Sequence, residues 1–339
     1  MKCLFCGREI SGKDPEELTT QWHKHCIKKF FGTMQMPELD ISDEALKQLA
    51  DESVNHGFTV PGVQKKLSIH LSKAEINRLT LVGYSAGYIL KPRSDEFQAL
   101  PEAEDLCMRM AERAGLSVAE HALLKMPVRD KDEIKRMESN QASTQETNKR
   151  GKTIFAYITK RMDRDENLMY AMEDFCQLNY RVTADKYKGS YEKCAKTIER
   201  YSEMPGLDLS ELFLRLLFCF VTGNSDMHYK NFSLIEQTPG SRKFVLSKAY
   251  DLLPVNVIIP EDKEEMALTL NGKKKNIRKK DFLQFAKSSG IPAKSAEKML
   301  LQILKLEPVF FTMCDESYMP TEMKEVMKDL MAKRYEILH

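Results

Sequence analysis

The chain of 339 residues lacks several things, and each shortage removes a class of protein. It lacks charge of one sign: Lys and Arg number 52 against 50 Asp and Glu, a net of +2. No global field therefore draws it to nucleic acid. No apolar run reaches the length of a membrane span, and no charged-then-apolar leader opens the chain. An internal repeat is missing too. The eight cysteines make no evenly spaced framework: Cys3, Cys6 and Cys26 cluster at the front, while Cys107, Cys176, Cys194, Cys219 and Cys314 stand singly. Scattered single cysteines predict reduced thiols and a cytoplasmic protein. Apolar residues at 42% suffice for a real core, in one large domain or two lobes.

What the chain does have is Asn224-Ser225-Asp226-Met227-His228-Tyr229-Lys230-Asn231, followed by Ala249-Tyr250-Asp251. An Asp and an Asn separated by four residues, then a second Asp after a short hairpin, suit phosphoryl transfer. That chemistry needs a carboxylate to take a hydroxyl proton, and an amide plus a carboxylate to hold Mg²⁺ against phosphates. Asp226 is the candidate base, with Asn231 and Asp251 as metal ligands. The apolar run from Leu212 to Val221 predicts a buried helix closed by Gly223. Residues 232–235 and 243–246 predict two strands around the turn Thr238-Pro239-Gly240-Ser241, bringing Asp251 back beside Asn231. The plain alternative is a polar loop whose acids and amides only cap turns.

Upstream segments offer groups for ATP. Gly62-Val63-Gln64-Lys65-Lys66 precedes a strand with Leu67, Ile69 and Leu71 on one face and Ser68 and His70 on the other. A glycine there lets backbone N–H groups approach phosphate, although a simple turn would look the same. Lys91 ends the strand Tyr88-Ile89-Leu90-Lys91 before Pro92. The helix after it carries Ala103, Leu106, Cys107, Met110, Ala111 and Ala114 at three-four spacing and closes at Gly115, with Glu104 on its first turn and Glu102 just before it. A strand lysine with a helix glutamate can hold nucleotide phosphates; a surface lysine and a glutamate at a helix start is the alternative. Phe155 to Arg164 reads as a strand ending in charges, where Lys160, Arg161 and Met162 would offer a hinge to adenine and Asp163 and Arg164 an ion pair.

Overall the reading is α+β: 43–160 mixes short strands with one helix, and 161–339 is mainly helical apart from the hairpin. The polar residues 129–150 form an excursion between two strands. A linker, 33–42, separates this body from an extension over 1–32. There Cys3, Cys6, His23 and Cys26 have the types and number of ligands for tetrahedral Zn²⁺. Gly7 relieves the tight turn, and His25 is expected to point away from Cys26. So short a piece has almost no core without metal; free thiols in a frayed terminus are the alternative. The run 273–280 carries six cations in eight residues. It suits a solvated loop after a strand over 266–270, or contact with DNA phosphates.

Taken together, Gly-Val-Gln-Lys-Lys-Leu, Tyr-Ile-Leu-Lys-Pro, Ile-Thr-Lys-Arg-Met-Asp-Arg, Met-Glu-Asp-Phe-Cys-Gln, Asn-Ser-Asp-Met-His-Tyr-Lys-Asn-Phe-Ser and Ala-Tyr-Asp-Leu-Leu-Pro resemble the HipA-like serine/threonine kinases of bacterial toxin–antitoxin systems, over roughly residues 55 to 335. The resemblance implies a two-lobed protein-kinase-like fold, ATP and Mg²⁺. It makes Asp226 the base, Asn231 and Asp251 the Mg²⁺ ligands, Lys91 the phosphate lysine, Gly62 to Lys66 the phosphate loop and Lys160 to Met162 the adenine hinge. His228 and Lys230 would support the loop and phosphate charge. It implies phosphorylation of an aminoacyl-tRNA synthetase, arresting growth, and autophosphorylation ahead of the phosphate loop, where this chain has Thr59. The N-terminal subdomain of the long form is missing, as in HipT-like short forms. Expected partners are therefore a DNA-binding antitoxin and a small separate protein supplying that piece, with DNA met only through the complex. A small-molecule kinase on the same fold, or a non-catalytic corepressor binding antitoxin and DNA, are the rival readings.

Overall fold

The computed structural model describes residues 1–40, 66–72, 78–80, 87–94, 96–126, 154–165 and 168–339. These form two compact units, one of residues 1–96 with 121–159, the other of 97–120 with 160–339. Residues 97–120, assigned from the sequence to the strand-rich lobe, thus cluster with the helical unit, and the extension clusters with the first.

The first unit is built on a six-stranded sheet of β1 (Glu38–Asp40), β2 (Leu67–Ser72), β3 (Arg78–Thr80), β4 (Tyr88–Lys91), β5 (His121–Met126) and β6 (Ile154–Lys160), in the order β1-β3-β2-β4-β6-β5. The alternation in β2 is realised: Leu67, Ile69 and Leu71 are buried and Ser68 is exposed. Strands β5 and β6 pair antiparallel from His121↔Thr159 to Met126↔Ile154. The excursion expected between them lies outside the described residues. β1 falls within the predicted linker and pairs parallel with β3, a long-range partner that no local pattern announces.

Helices α1 (Pro15–Thr20) and α2 (Lys24–Phe31) form the extension. Contrary to expectation it has a core. Trp22 is fully buried, its ring lies 5.5 Å from those of Phe5, Phe30 and Phe31, and its Nε1 donates to the Leu123 carbonyl at 3.2 Å. Tyr88 Oη donates to the Phe30 carbonyl at 3.0 Å. The extension is thereby packed on the sheet through rings of strand β4 and backbone of strand β5.

In the second unit come α3 (Leu100–Arg113), α4 (Phe175–Leu178), α5 (Tyr191–Tyr201), α6 (Pro205–Thr222), α7 (Val255–Ile258), α8 (Lys279–Ser288), α9 (Ala293–Leu304), α10 (Glu307–Glu316) and α11 (Thr321–Leu338). α6 is apolar almost all round from Leu212 onward and is the central helix, packed by α3, α5, α8, α9 and α11. α3 starts earlier than expected, so Glu102 lies in its first turn and Glu104 beyond it. The predicted hairpin is β10 (Ser233–Glu236) with β11 (Phe244–Leu246), and β10 also pairs with β9 (Met172–Asp174), making three strands. A two-stranded ribbon joins β7 (Arg164–Asp165) and β8 (Leu168–Met169). Residues 266–270 are not a strand. They are buried backbone bridged singly at Ser190↔Thr269 and Leu270↔Lys273.

Candidate active site

The site begins where α6 stops. Gly223 takes φ 71°, the left-handed region that favours glycine, and a Cβ there would come within 2.6 Å of Leu330 Cδ2, so that side chain would have to shift. Asn224 Oδ1 then accepts from the Asp226 N–H at 3.1 Å, the Asx turn that Asn forms readily. Met227, Tyr229 and Phe232 are fully buried and pin the loop, while the Asp226 side chain just before them keeps 44% of its surface exposed. Buried anchors following Asp226 thus hold a carboxylate at the surface.

Asn231 is tied to Asp226 directly: its Nδ2 donates to the Asp226 carbonyl at 2.8 Å. That bond fixes the amide and leaves Oδ1 as its acceptor end, the atom a hard cation takes. Tyr250 brings the next acid back, its hydroxyl donating to the Lys230 carbonyl at 2.9 Å and lying 2.6 Å from Ser233 Oγ. Ala249 is braced by two bonds, its N–H to the Ser117 carbonyl at 2.7 Å and its carbonyl from the Ala119 N–H at 3.0 Å. Asp251 follows in the left-handed region, φ 55°, uncommon for any residue but glycine, Asn or Asp. An Asp held there directly after the braced Ala249 and Tyr250 is a candidate for function. The donor set, one amide oxygen and one carboxylate, fits Mg²⁺.

The remaining motif residues are placed unequally. Lys230 Nζ meets Asp174 Oδ2 at 2.9 Å, and Asp174 N-caps α4 in a capping box with Gln177. The Lys230 cation thereby ties the Asp226 loop to Asp174. Burial pushes the His228 imidazole down to about 4, against the pull of Asp226, whose Oδ1 lies 3.9 Å from Nε2. His228 is thus a neutral, packed ring at neutral pH, and its Nδ1 has no hydrogen-bond partner among the described residues.

Lys91 is 2% exposed with Nζ 5.2 Å from the Tyr157 ring centre, a cation held over an aromatic face. Glu104 is fully buried in the other unit. Lys66 is exposed just before β2, while Gly62, Val63, Gln64, Lys65 and Thr59 lie outside the described residues. At the expected hinge, the Lys160 N–H donates to the Glu120 carbonyl at 2.8 Å. Arg161 grips Asp163 with two bonds, 2.8 and 2.7 Å, and Arg164 adds 3.0 Å, so Asp163 pairs with both arginines. Met162 lies in the turn between β6 and β7. In the basic run, Lys273 pairs with Asp281 at 2.8 Å and Lys274 with Glu264 at 3.2 Å, which favours structure over nucleic-acid contact for those two.

The front cluster assembles. Cys3 Sγ, Cys6 Sγ, Cys26 Sγ and a ring nitrogen of His23 all lie within 4.8 Å of one another, with Cys3 and Cys26 buried. Gly7, φ 71°, donates its N–H to the Cys3 carbonyl at 2.9 Å and closes the turn. His23 Nε2 lies 3.1 Å from the Glu9 carbonyl, which leaves Nδ1, 3.4 Å from Cys6 Sγ, to face the thiols. His25 does not point away as expected: its Nε2 is 3.4 Å from Cys26 Sγ, although it is outside the four-atom set.

Sequence reasoning missed Tyr187, whose hydroxyl donates to Asp226 Oδ1. It sits in a polar stretch without period or motif, and only the fold reveals it. Asn224 was legible in principle, because Asn two residues before an Asp is an Asx-turn signal.

Comparison with known proteins matches this architecture. The family model described as HipA-like C-terminal domain fits residues 58–308. The chain belongs to that family. It is 31% identical over 221 residues to a Sinorhizobium fredii protein named "Putative kinase Y4dM", covering 64% of this chain and 50% of that one. A Haemophilus influenzae protein named "Putative kinase" is 26% identical over 264 residues, covering 76% and 67%. The chain thus spans half the length of the first relative and about two thirds of the second. Among solved structures, the Shewanella oneidensis MR-1 toxin–antitoxin HipA, in complex with HipB and its operator DNA, superposes with a TM-score of 0.62 at 19% identity, covering 82% of this chain and 64% of that one. The HipA-like fold carries helix and sheet as expected. No helix among the described residues is long and apolar enough to cross a membrane.

Proposed function

We propose that this HipA-like protein is an ATP- and Mg²⁺-dependent kinase that phosphorylates a Ser or Thr hydroxyl of a protein, acting as the toxin of a toxin–antitoxin system. The observation that carries the reading is the junction of the three acidic and amide groups: the Asn231 amide bonded to Asp226, and Tyr250, next to Asp251, bonded to the residue before Asn231. Asp226 takes the acceptor proton as the hydroxyl oxygen bonds to the γ-phosphorus and the bond to ADP breaks. Mg²⁺, when bound, neutralises charge on the phosphates, and Asn231 and Asp251 are the residues that would hold it. Lys91 serves the phosphates, Gly62 to Lys66 the phosphate loop, and Lys160 to Met162 the adenine.

The family resemblance extends the reading to an aminoacyl-tRNA synthetase as target, autophosphorylation at Thr59, a DNA-binding antitoxin and a small separate partner protein. The HipB and operator DNA bound to the related HipA support the antitoxin partner. The four-ligand cluster at the front supports a structural Zn²⁺, since three thiolates and one imidazole fill all four positions.

The test is transfer of γ-labelled phosphate from ATP into a cell lysate by wild type and by Asp226→Ala. A labelled protein band present only with wild type is the expected result. Labelled metabolite alone would mean a small-molecule kinase, and no label would mean a corepressor.

A further inference from the structure

The base Asp226 already receives a hydroxyl. Tyr187 Oη donates to its Oδ1, which is the contact an acceptor hydroxyl must make before it surrenders its proton. The placement is built in. The Tyr229 N–H donates to the Lys186 carbonyl at 3.3 Å, and the Ser190 N–H donates to Tyr229 Oη at 3.2 Å, so the loop is stitched on both sides of Tyr187 to the residue that pins the Asp226 loop. Gly189 makes that stitch possible: a Cβ there would lie 2.0 Å from Tyr229 Oη. The Tyr187 ring packs edge-on against His228, centroids 4.9 Å apart at 74°, yet the residue stays 38% exposed and has solvent to swing into. Loss of solvation and then the Asp226 carboxylate hold its pKa above the ordinary tyrosine value, so it keeps its proton and stays a donor.

We propose that Tyr187 is the resting occupant of the acceptor position, a positioning residue that holds Asp226 Oδ1 against water and yields to a hydroxyl presented on a protein segment able to displace the ring. A seryl or threonyl side chain anchored by its neighbours can compete for Oδ1; a lone water, with no binding energy elsewhere, competes poorly. The inference rests on the kinase reading above.

The experiment uses the full chain with Mg-ATP and no added protein, and reads inorganic phosphate release, in which water's oxygen bonds to the γ-phosphorus, the bond to ADP breaks and the proton passes to Asp226. Tyr187→Phe keeps the ring and removes the hydroxyl. It is expected to raise release by about tenfold, the fold-change from losing one hydrogen bond to a charged group, with KM for ATP unchanged. Tyr187→Leu, which also removes the ring's edge contact, is expected to raise it at least as much and serves if the phenylalanine variant is unstable. Release that stays at or below the wild-type rate in both variants overturns the proposal. Asp226→Ala separates the two levels: release unchanged by that substitution removes the base itself, and Tyr187's role falls with it.

Discussion

The loop bearing Asp226 and the turn bearing Cys3 and Cys6 face one problem, fixing irregular backbone, and meet it differently. The first is held by covering: Met227, Tyr229 and Phe232 are fully buried, and the Tyr191 and Tyr250 hydroxyls from other segments donate to its backbone. The second has a few rings on one side, Trp22 and Phe30 against Phe5, and on the other only sulfur and nitrogen ligand atoms facing each other. Facing thiols and an imidazole offer little cohesion without a cation, whereas the packed loop needs none to keep its shape. A metal is therefore expected to be structural at one region and catalytic at the other.

Removing metal should separate them most sharply. Chelation under reducing conditions is expected to strip one Zn²⁺ per chain and cost the extension on the order of 10 kcal/mol. Trp22 is the single tryptophan and fully buried beside the cluster, so its fluorescence should shift to the red. Protein purified without chelator that contains no zinc would erase the contrast. Asp226→Ala should do the opposite, leaving Trp22 emission and melting unchanged while phosphoryl transfer falls by about 10²–10⁴-fold.

Smaller effects sharpen the comparison. Gly189→Ala forces the Tyr229 hydroxyl aside and should destabilise the second unit by roughly 1–3 kcal/mol in denaturant unfolding, with no change at the cysteines. Asp163 gives the smallest effect. Burial opposes its charge, but the Arg161 and Arg164 guanidinium groups hold its carboxyl below the ordinary aspartate value. Its contribution is therefore present above that ordinary value and lost as pH falls through the lowered one. Asp163→Asn should cost roughly 1 kcal/mol at neutral pH and flatten the acid limb of the stability curve; equal acid limbs would show the pair contributes nothing.

Local signals made much of this legible. The apolar run of α6 with Gly223 behind it, the alternation of β2 and the two strands around Thr238-Pro239-Gly240-Ser241 all came from neighbours in sequence. So did the Asp226, Asn231 and Asp251 set, because the hairpin that returns Asp251 is itself local. What escaped was long-range. β1 pairs with β3 from inside a linker, and Met266 to Leu270 looks like a strand yet is buried with its backbone bonded singly to other loops. The ion pair of Lys230 with Asp174 joins residues 56 apart, which no local pattern announces. Tyr187 reaches Asp226 across 39 residues through a stretch with no pattern.

The most direct test of the central claim is a crystal structure with a non-hydrolysable ATP analogue and Mg²⁺. The account predicts a metal within about 2.0–2.1 Å of Asn231 Oδ1 and an Asp251 carboxylate oxygen, with Asp226 facing the terminal phosphate. Nucleotide bound with those three side chains directed at different surfaces would contradict it.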